Sequence, residues 1–262
     1  HFYIVDAKTL YYENSAVVGA NLSGLTILNE QYGLVTGDGI RRIDLKSLNN
    51  VRIKNERLLC FYNSIIYNGK VLSNDTYKDE SKVKYYDVNE LIAAKEGEAP
   101  AVTELDIIQK QKINFVLAKD GNVYTLESAD NGCNIVKIKN DFTLEKVFAN
   151  FQPAKGPYHS SPTIGMVASE TENIIYLVST DGAIYKYILG DSDSLKAPFI
   201  AAESGVSITA PLQLNQQSGE LYVTYTEERK DESKIVVYSK DGKVLHTVDC
   251  GESVPSQILF NN

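Results

Sequence analysis

Residues Asn173–Leu189 read NIIYLVSTDGAIYKYIL, two apolar runs joined by the dipeptide Asp181-Gly182. Asp-Gly between runs of β-branched and aromatic residues is a strong signal for a β-hairpin, because both residues tolerate a positive φ. The second run has counterparts along the whole chain. The six similar hexapeptides are FYIVDA from Phe2, IRRIDL from Ile40, VKYYDV from Val83, IVKIKN from Ile135, IYKYIL from Ile184 and IVVYSK from Ile235.

The starts of these hexapeptides are separated by 38, 43, 52, 49 and 51 residues. A period of roughly 40–50 residues is typical of architectures in which each repeat forms one sheet. Around the clearest copy we expect four strands, at Thr163–Ser169, Asn173–Ser179, Ala183–Leu189 and Pro198–Ala202. Asp38-Gly39, Asp120-Gly121 and Asp241-Gly242 predict hairpins in other copies.

Two further features fit the repeat. Asp87–Glu96 (DVNELIAAKE) combines an Asp start, good helix formers and a following Gly97, so we expect a short helix between the third and fourth strands of its repeat. The pentapeptide KDESK occurs at Lys78–Lys82 and Lys230–Lys234, each time directly before a third strand. Both copies are interpreted as solvated hairpin tips, with a cation site formed by their acidic residues as the alternative.

Four-stranded antiparallel units around an axis form a β-propeller, which leaves only short strand edges. The sequence therefore predicts an all-β chain folded as a single β-propeller domain over residues 1–262, with six blades, five or seven being the alternatives. The tail Val254–Phe260 matches the start of other repeats, and the head Phe2–Asp6 matches the third-strand hexapeptide. We expect these N- and C-terminal strands to close the ring as one composite blade, whereas a solenoid would need capped ends.

Composition excludes several classes of protein. The net charge is −8, and 26 Lys and Arg residues are scattered among 34 acids, which argues against nucleic-acid binding. No apolar run reaches the roughly 18–20 residues of a membrane-spanning helix, so we expect the chain not to be membrane-embedded. Cys60, Cys133 and Cys250 are far apart and form no CxxC pair, so they are expected to be small buried residues rather than metal ligands or a disulfide framework.

The chain begins at His1 rather than Met, and we expect a processed segment before it, which could carry a secretory signal or a lipid anchor. We expect a monomer with no cofactor and no bound metal. The motifs GxSxG, GxGxxG, HExxH and the P-loop are absent. Catalytic residues therefore remain unassigned.

Loops that lead into first strands and turns between second and third strands share one face of a propeller, and such loops carry binding residues. The longest is Gln152–Pro162, QPAKGPYHSSP, and His159 within it is either a base or ligand or simply a locally hydrogen-bonded loop residue. The candidate binding residues on this face are Lys155, Tyr158, His159, Ser160, Ser161, Glu56, Arg57, Ser207 and Thr209.

Three stretches of the chain carry a resemblance to a known family: SGELYVTY at Ser218–Tyr225, KIVVYSKDGKVLHTV at Lys234–Val248 and GESVPSQILF at Gly251–Phe260. Together they resemble the last blade of the YncE-like surface propellers, many of them secreted or lipid-anchored proteins of Gram-negative bacteria. The resemblance implies an extracytoplasmic location, in the periplasm, at the cell surface or secreted, and favours binding over catalysis.

Two functional hypotheses follow. The first is a non-catalytic extracytoplasmic propeller that binds a protein, peptide or glycan on its loop face. The alternative is a propeller-type lyase or hydrolase whose site lies on the same face and uses His159 or a divalent cation.

Overall fold

The computed structural model describes residues 2–5, 11–16, 24–37, 39–54, 64–74, 81–98, 100–109, 115–154, 165–227, 232–255, 258 and 260. The chain divides into two compact units, His1–Lys110 and Gln111–Asn262, and each is described by itself.

The described residues of the N-terminal unit form three antiparallel sheets. Strands β1 (Phe2–Val5) and β2 (Tyr12–Ala16) form a pair. A four-stranded sheet follows in chain order, composed of β3 (Gly24–Ile27), β4 (Tyr32–Gly37), β5 (Gly39–Asp44) and β6 (Asn50–Lys54). The next four-stranded sheet is composed of β7 (Ile65–Tyr67), β8 (Lys70–Asn74), β9 (Ser81–Asp87) and β10 (Val102–Gln109), with helix α1 (Val88–Ala93) between its last two strands.

The part of the C-terminal unit that the structure describes also forms three antiparallel sheets. The first is composed of β11 (Val116–Leu117), β12 (Val123–Ala129), β13 (Gly132–Ile138) and β14 (Leu144–Phe151). The second is composed of β15 (Met166–Ala168), β16 (Ile174–Val178) and β17 (Ile184–Ile188). The third is composed of β18 (Val206–Ile208), β19 (Gln213–Leu214), β20 (Leu221–Glu227), β21 (Ser233–Tyr238) and β22 (Val244–Gly251), with β18 and β19 both pairing with β20.

Five of the six hexapeptides occupy the same structural position. Five copies lie on β5, β9, β13, β17 and β21, the third strands of their sheets, and the first copy forms β1. The all-β prediction is therefore confirmed. The described ends of both KDESK copies also behave alike, since Ser81 begins β9 and Ser233 begins β21, whereas Asp79, Glu80 and Asp231 lie outside the described residues.

The predicted hairpins and helix are present. Gly121, Gly182 and Gly242 have φ values of 75°, 83° and 80° in the turns predicted for them, and Asp38 lies outside the described residues. The helix is shorter than predicted at both ends. Asp87 is its N-cap, and the carboxylate accepts hydrogen bonds from the backbone N–H groups of Asn89 and Glu90. At the other end, the C-cap Ala94 leaves the helical conformation, with a φ of −60° and a ψ of 138°.

The fourth strand predicted at Pro198–Ala202 is wrong. The described chain there forms one antiparallel bridge, Ile184 to Ile200, after a 3-10 helix at Ser192–Leu195. Pro198 has no N–H to donate, and the sheet pairing is confined to the bonds of Ile184 with Phe199 and Ile200.

Hydrophobic cores lie between neighbouring sheets within each unit. In the N-terminal unit, Leu34, Ile40 and Ile53 of one sheet pack with Val71 and Tyr86 of the next, together with Leu91 of α1. In the C-terminal unit, the middle sheet is covered on both sides, and all five residues of β16 are buried. Its first strand, β15, lies beside β11 and β19 of the flanking sheets. A sheet buried on both faces explains the continuous apolar run in β16.

The tail of the chain lies against its own last sheet. The backbone N–H of Ile258 donates to Gln213 Oε1 at 2.7 Å, and the ring of Phe260 lies 5.0 Å from that of Tyr222. The composite blade predicted from the two chain ends would join both units and stays a prediction. Of the cysteines, Cys133 is buried as predicted, Cys250 is partly exposed, contrary to the prediction, and Cys60 lies outside the described residues.

Candidate functional site

The long loop after β14 begins with a fixed contact to the next sheet. The backbone N–H of Thr180 donates to Gln152 O at 2.9 Å, and that of Ala154 donates to Val178 O at 2.8 Å. Pro153 and Ser179 form an isolated bridge between these bonds. The first residues of this loop are therefore hydrogen-bonded to the end of β16 and the β16–β17 turn.

A cleft of about 290 Å³ lies at this junction. Its floor is formed by buried Phe151, Leu195 and Ser179, and half-buried Phe148 and Tyr185 form its walls. The exposed rim is polar and consists of Asn150, Gln152, Thr180 and Asp181. Aromatic walls with a few oriented polar groups are typical of ligand sites.

Asp181 is held in place by its own turn. Its Oδ1 accepts a hydrogen bond from the Ser179 hydroxyl and another from the backbone N–H of Ala183, the latter at 3.1 Å. These bonds, with the Ser179 bond the stronger cause, hold the pKa of the Asp181 carboxyl below its ordinary value. The rim of the cleft therefore carries a negative charge at neutral pH.

Gln152, another residue of the exposed rim, is oriented by a hydrogen bond of its own. Its Nε2 donates to the backbone oxygen of Asn131 at 2.7 Å, which links the end of β14 to the β12–β13 turn. Gly132 makes this approach possible, since a Cβ there would lie 2.5 Å from Phe151 O. The floor also contacts one wall, because the rings of Phe151 and Tyr185 meet edge to face with centroids 5.8 Å apart.

Two of the candidate binding residues are described, and the segment predicted as a loop at Ser207–Thr209 is mostly strand, since β18 ends at Ile208 and Thr209 directly follows it. Ser207 is an exposed residue within β18, paired in register with Thr226 of β20. The Thr209 hydroxyl lies 2.8 Å from that of Thr226. The correction has a physical reason: Val206 and Ile208 are β-branched and favour an extended strand, which pairs with β20.

The other candidates lie outside the described residues. They are Lys155, Tyr158, His159, Ser160, Ser161, Glu56 and Arg57. Neither Ser207 nor Thr209 lines the cleft. The cleft residues themselves were missed by sequence reasoning, except that Asp181 was recognised as a turn residue, because nothing in the local sequence shows that the end of β14 pairs with the next sheet.

A second cleft, of about 420 Å³, lies at the other end of β16 and β17. It is lined by residues of both charges, including Glu172, Lys186 and Asp241. Lys186 is already engaged, since its Nζ donates to Lys240 O at 3.3 Å and lies 5.1 Å from the ring of Phe199. The first cleft is the better candidate because it adjoins the longest loop.

Within the described ranges, no group of three or more His, Cys, Asp or Glu side chains is arranged to hold a metal ion. No helix in that part of the chain is long and apolar enough to cross a membrane.

Solved structures with similar folds identify the architecture. Virginiamycin B lyase from Staphylococcus aureus is 14% identical, with 99% of this chain and 81% of that chain covered and a TM-score of 0.53. The β-propeller domain of Cps50 (Swd1) from Myceliophteria thermophila is 11% identical, with 97% and 81% covered and a TM-score of 0.56. Prolyl oligopeptidase B from Galerina marginata is 12% identical, with 88% of this chain but only 36% of that chain covered and a TM-score of 0.53.

The sheets and these likenesses define the chain as a β-propeller protein. Residues 1–261 match the family described as a domain of unknown function, DUF5074, and the chain belongs to that family. No curated protein matches it in sequence.

Proposed function

We propose that this chain is a non-catalytic, extracytoplasmic binding module that recognises a protein, peptide or glycan on the face formed by the Gln152–Pro162 loop and the β16–β17 turn. The observation that carries the proposal is the cleft, whose aromatic walls and polar rim are fixed by backbone pairing between Gln152 and Thr180. A rigid site needs little ordering on binding. The resemblance to YncE-like surface propellers supports the location.

The experiment is a screen of glycan and peptide arrays with the purified chain, followed by titration of any ligand found. Tyr185→Ala is expected to weaken binding about tenfold or more, because it removes one wall of the cleft. Tyr158→Ala and His159→Ala are expected to cost about 1 kcal/mol each, as for a lost hydrogen bond or contact. His246→Ala, an exposed change on β22, is the matched control. Ligands that bind equally well to all these variants would contradict the proposal.

A lyase is the second candidate. The supporting observation is the fold shared with virginiamycin B lyase over 99% of this chain. The structure compared is a His-to-Ala variant of that enzyme, described as catalytically inactive and crystallised with quinupristin. In this chain, His159 would be the corresponding type of residue on the loop face. Incubation with quinupristin, followed by mass spectrometry, tests it: turnover that His159→Ala abolishes and His246→Ala preserves would replace the binding proposal.

A further inference from the structure

The cleft beside β14 carries a negative charge that the described residues do not neutralise. Among the described residues, its lining includes Asp181 and no Lys or Arg. The neighbouring sheet shows the contrasting case: Asp120 pairs with Lys137 at 2.8 Å and Glu145 pairs with Lys139 at 2.9 Å. Lys146 of β14 is engaged by Glu127 at 3.5 Å. Asp181 therefore differs from these acids in having no cationic partner among the described residues.

The acceptor atoms of the rim are also free among the described residues. Asp181 uses Oδ1 for both of its hydrogen bonds, so Oδ2 remains available. Gln152 donates through Nε2 to Asn131, so its Oε1 is left as an acceptor. A carboxylate oxygen and an amide oxygen at one rim match a ligand that brings N–H donors and a positive charge.

The walls favour the same ligand. Phe148 and Tyr185 are half-buried, so each exposes part of an aromatic ring to the cleft. Cations are attracted to such rings within about 6 Å. The protein already uses this contact elsewhere, since the Arg42 guanidinium lies 5.2 Å from the Tyr32 ring and Lys186 Nζ lies 5.1 Å from the Phe199 ring. In the described residues, Phe148 and Tyr185 have no such cation.

We infer that the cleft receives the side chain of a lysine or arginine from a peptide ligand, with the charged group at Asp181 Oδ2 and Gln152 Oε1 and the aliphatic stem between Phe148 and Tyr185. The inference rests on the proposed function, because it names the ligand class of that site. The volume, about 290 Å³, lies just below the range of about 300–1,000 Å³ for small-molecule sites, which suits one side chain. The net charge of −8 would also attract a basic peptide.

The test uses capped peptides of the sequence Gly-Ser-X-Ser-Gly with lysine, arginine, norleucine or glutamate at X. Norleucine keeps the aliphatic stem and removes the charge. Backbone amide resonances of the ¹⁵N-labelled chain are followed during titration. The lysine and arginine peptides should shift the resonances of residues 150–152 and 180–182 until saturation is reached. Half-saturation should need a peptide concentration at least about tenfold lower than with the norleucine or glutamate peptide. Raising the salt concentration should weaken this binding.

Two variants locate the charge. Asp181→Asn keeps an oxygen that accepts from Ser179 and Ala183 but removes the negative charge, and it should weaken the lysine peptide about tenfold. Asp141→Asn is the matched control: Asp141 also caps a turn, accepting from Thr143 N at 3.0 Å, but it lies in the β13–β14 turn at the other end of the sheet. It should leave binding unchanged.

Equal binding of the norleucine and lysine peptides, or no loss with Asp181→Asn, would overturn the inference. The proposed function would then still stand if a neutral or acidic ligand from the arrays bound wild type and lost affinity with Tyr185→Ala. The proposed function itself would be contradicted by a different result, in which no loop-face variant changes the binding of any ligand.

Discussion

Single residues fix the shape of the cleft, and Gly132 is the clearest case. Its φ of 116° is in a region that L side chains rarely adopt, and an added Cβ would lie 2.5 Å from Phe151 O and 2.4 Å from Gln152 Nε2. Two of its neighbours line the cleft. The glycine in the β12–β13 turn therefore allows Phe151 and Gln152 to lie where they line the cleft.

Gly132→Ala is expected to destabilise the fold by about 2–3 kcal/mol, because backbone strain adds to displacement of the Phe151–Gln152 backbone. Gly121→Ala is the control: φ is 75° there, but no atom lies within 4 Å of the added Cβ. It should cost about 1 kcal/mol from strain alone. Urea unfolding measures both, and equal losses would show that close approach at Gly132 is unimportant.

Asp44 predicts a pH dependence. Its carboxylate accepts from the Ser47 backbone at 2.7 Å, from Gln31 Nε2 at 3.1 Å and from the Ser47 hydroxyl at 2.9 Å. These hydrogen bonds lower its pKa from 3.8 to about 2. Because the folded-state pKa lies below the ordinary value, the stabilisation is complete above about pH 4 and is lost as the pH falls toward 2.

Asp44→Asn should therefore reduce the loss of stability between pH 4 and pH 2, measured as the change in the urea midpoint. Asp130→Asn is the control, since the Asp130 carboxylate accepts no hydrogen bond from the described residues. Wild type and Asp44→Asn with the same dependence on pH would contradict the assignment.

At the scale of elements, the repeats share the position of their third strand and differ in the segments inserted between strands. Helix α1 is one of these, inserted between β9 and β10 and tied to the sheet at Asp87. The Asp87 carboxylate caps the helix and pairs with Lys70 Nζ at 2.6 Å, and the two side chains are 27% and 30% exposed. The cap and the ion pair can be separated by substitution.

Asp87→Ala should destabilise the N-terminal unit by about 1–2 kcal/mol, because it leaves two backbone N–H groups of α1 without their acceptor. Asp87→Asn retains a good N-cap and removes only the ion pair, so about 0–1 kcal/mol is expected. Chemical unfolding followed by far-ultraviolet circular dichroism measures the difference. Equal effects of the two substitutions would assign the stabilisation to the ion pair instead.

At the scale of the whole molecule, a single domain over residues 1–262 would unfold in one cooperative transition. Each compact unit contains a hydrophobic core, and Leu34 and Leu221 are almost fully buried in the first and second unit respectively. In a single domain, loss of either core residue destabilises the same folded state. In independent domains, each loss affects its own transition.

Leu34→Ala and Leu221→Ala are each expected to cost about 2–5 kcal/mol and to lower the temperature of one shared calorimetric transition. The calorimetric enthalpy should equal the van't Hoff enthalpy. Two transitions, each shifted by only one of the substitutions, would show that the chain is not a single domain.

The sequence by itself determined the repeat and its local chemistry. The apolar hexapeptides predicted the third strands, since period-two alternation and β-branched residues act within a strand, and the Asp-Gly pairs predicted turns whose glycines have positive φ. Asp87 and the helix formers after it predicted α1 for the same local reason. All of these depend on interactions between residues close in the chain.

Tertiary structure decided the rest. The end of β14 pairs with the β16–β17 turn, nearly 30 residues away in sequence, and only that pairing brings Phe148, Gln152, Asp181 and Tyr185 around one cleft. The same holds for the strand at Val206–Ile208 and for the single bridge at Ile200, where the available partner strand sets the extent of pairing. Long-range hydrogen bonds and packing depend on which strands become neighbours, and no pattern within a short stretch of sequence specifies that.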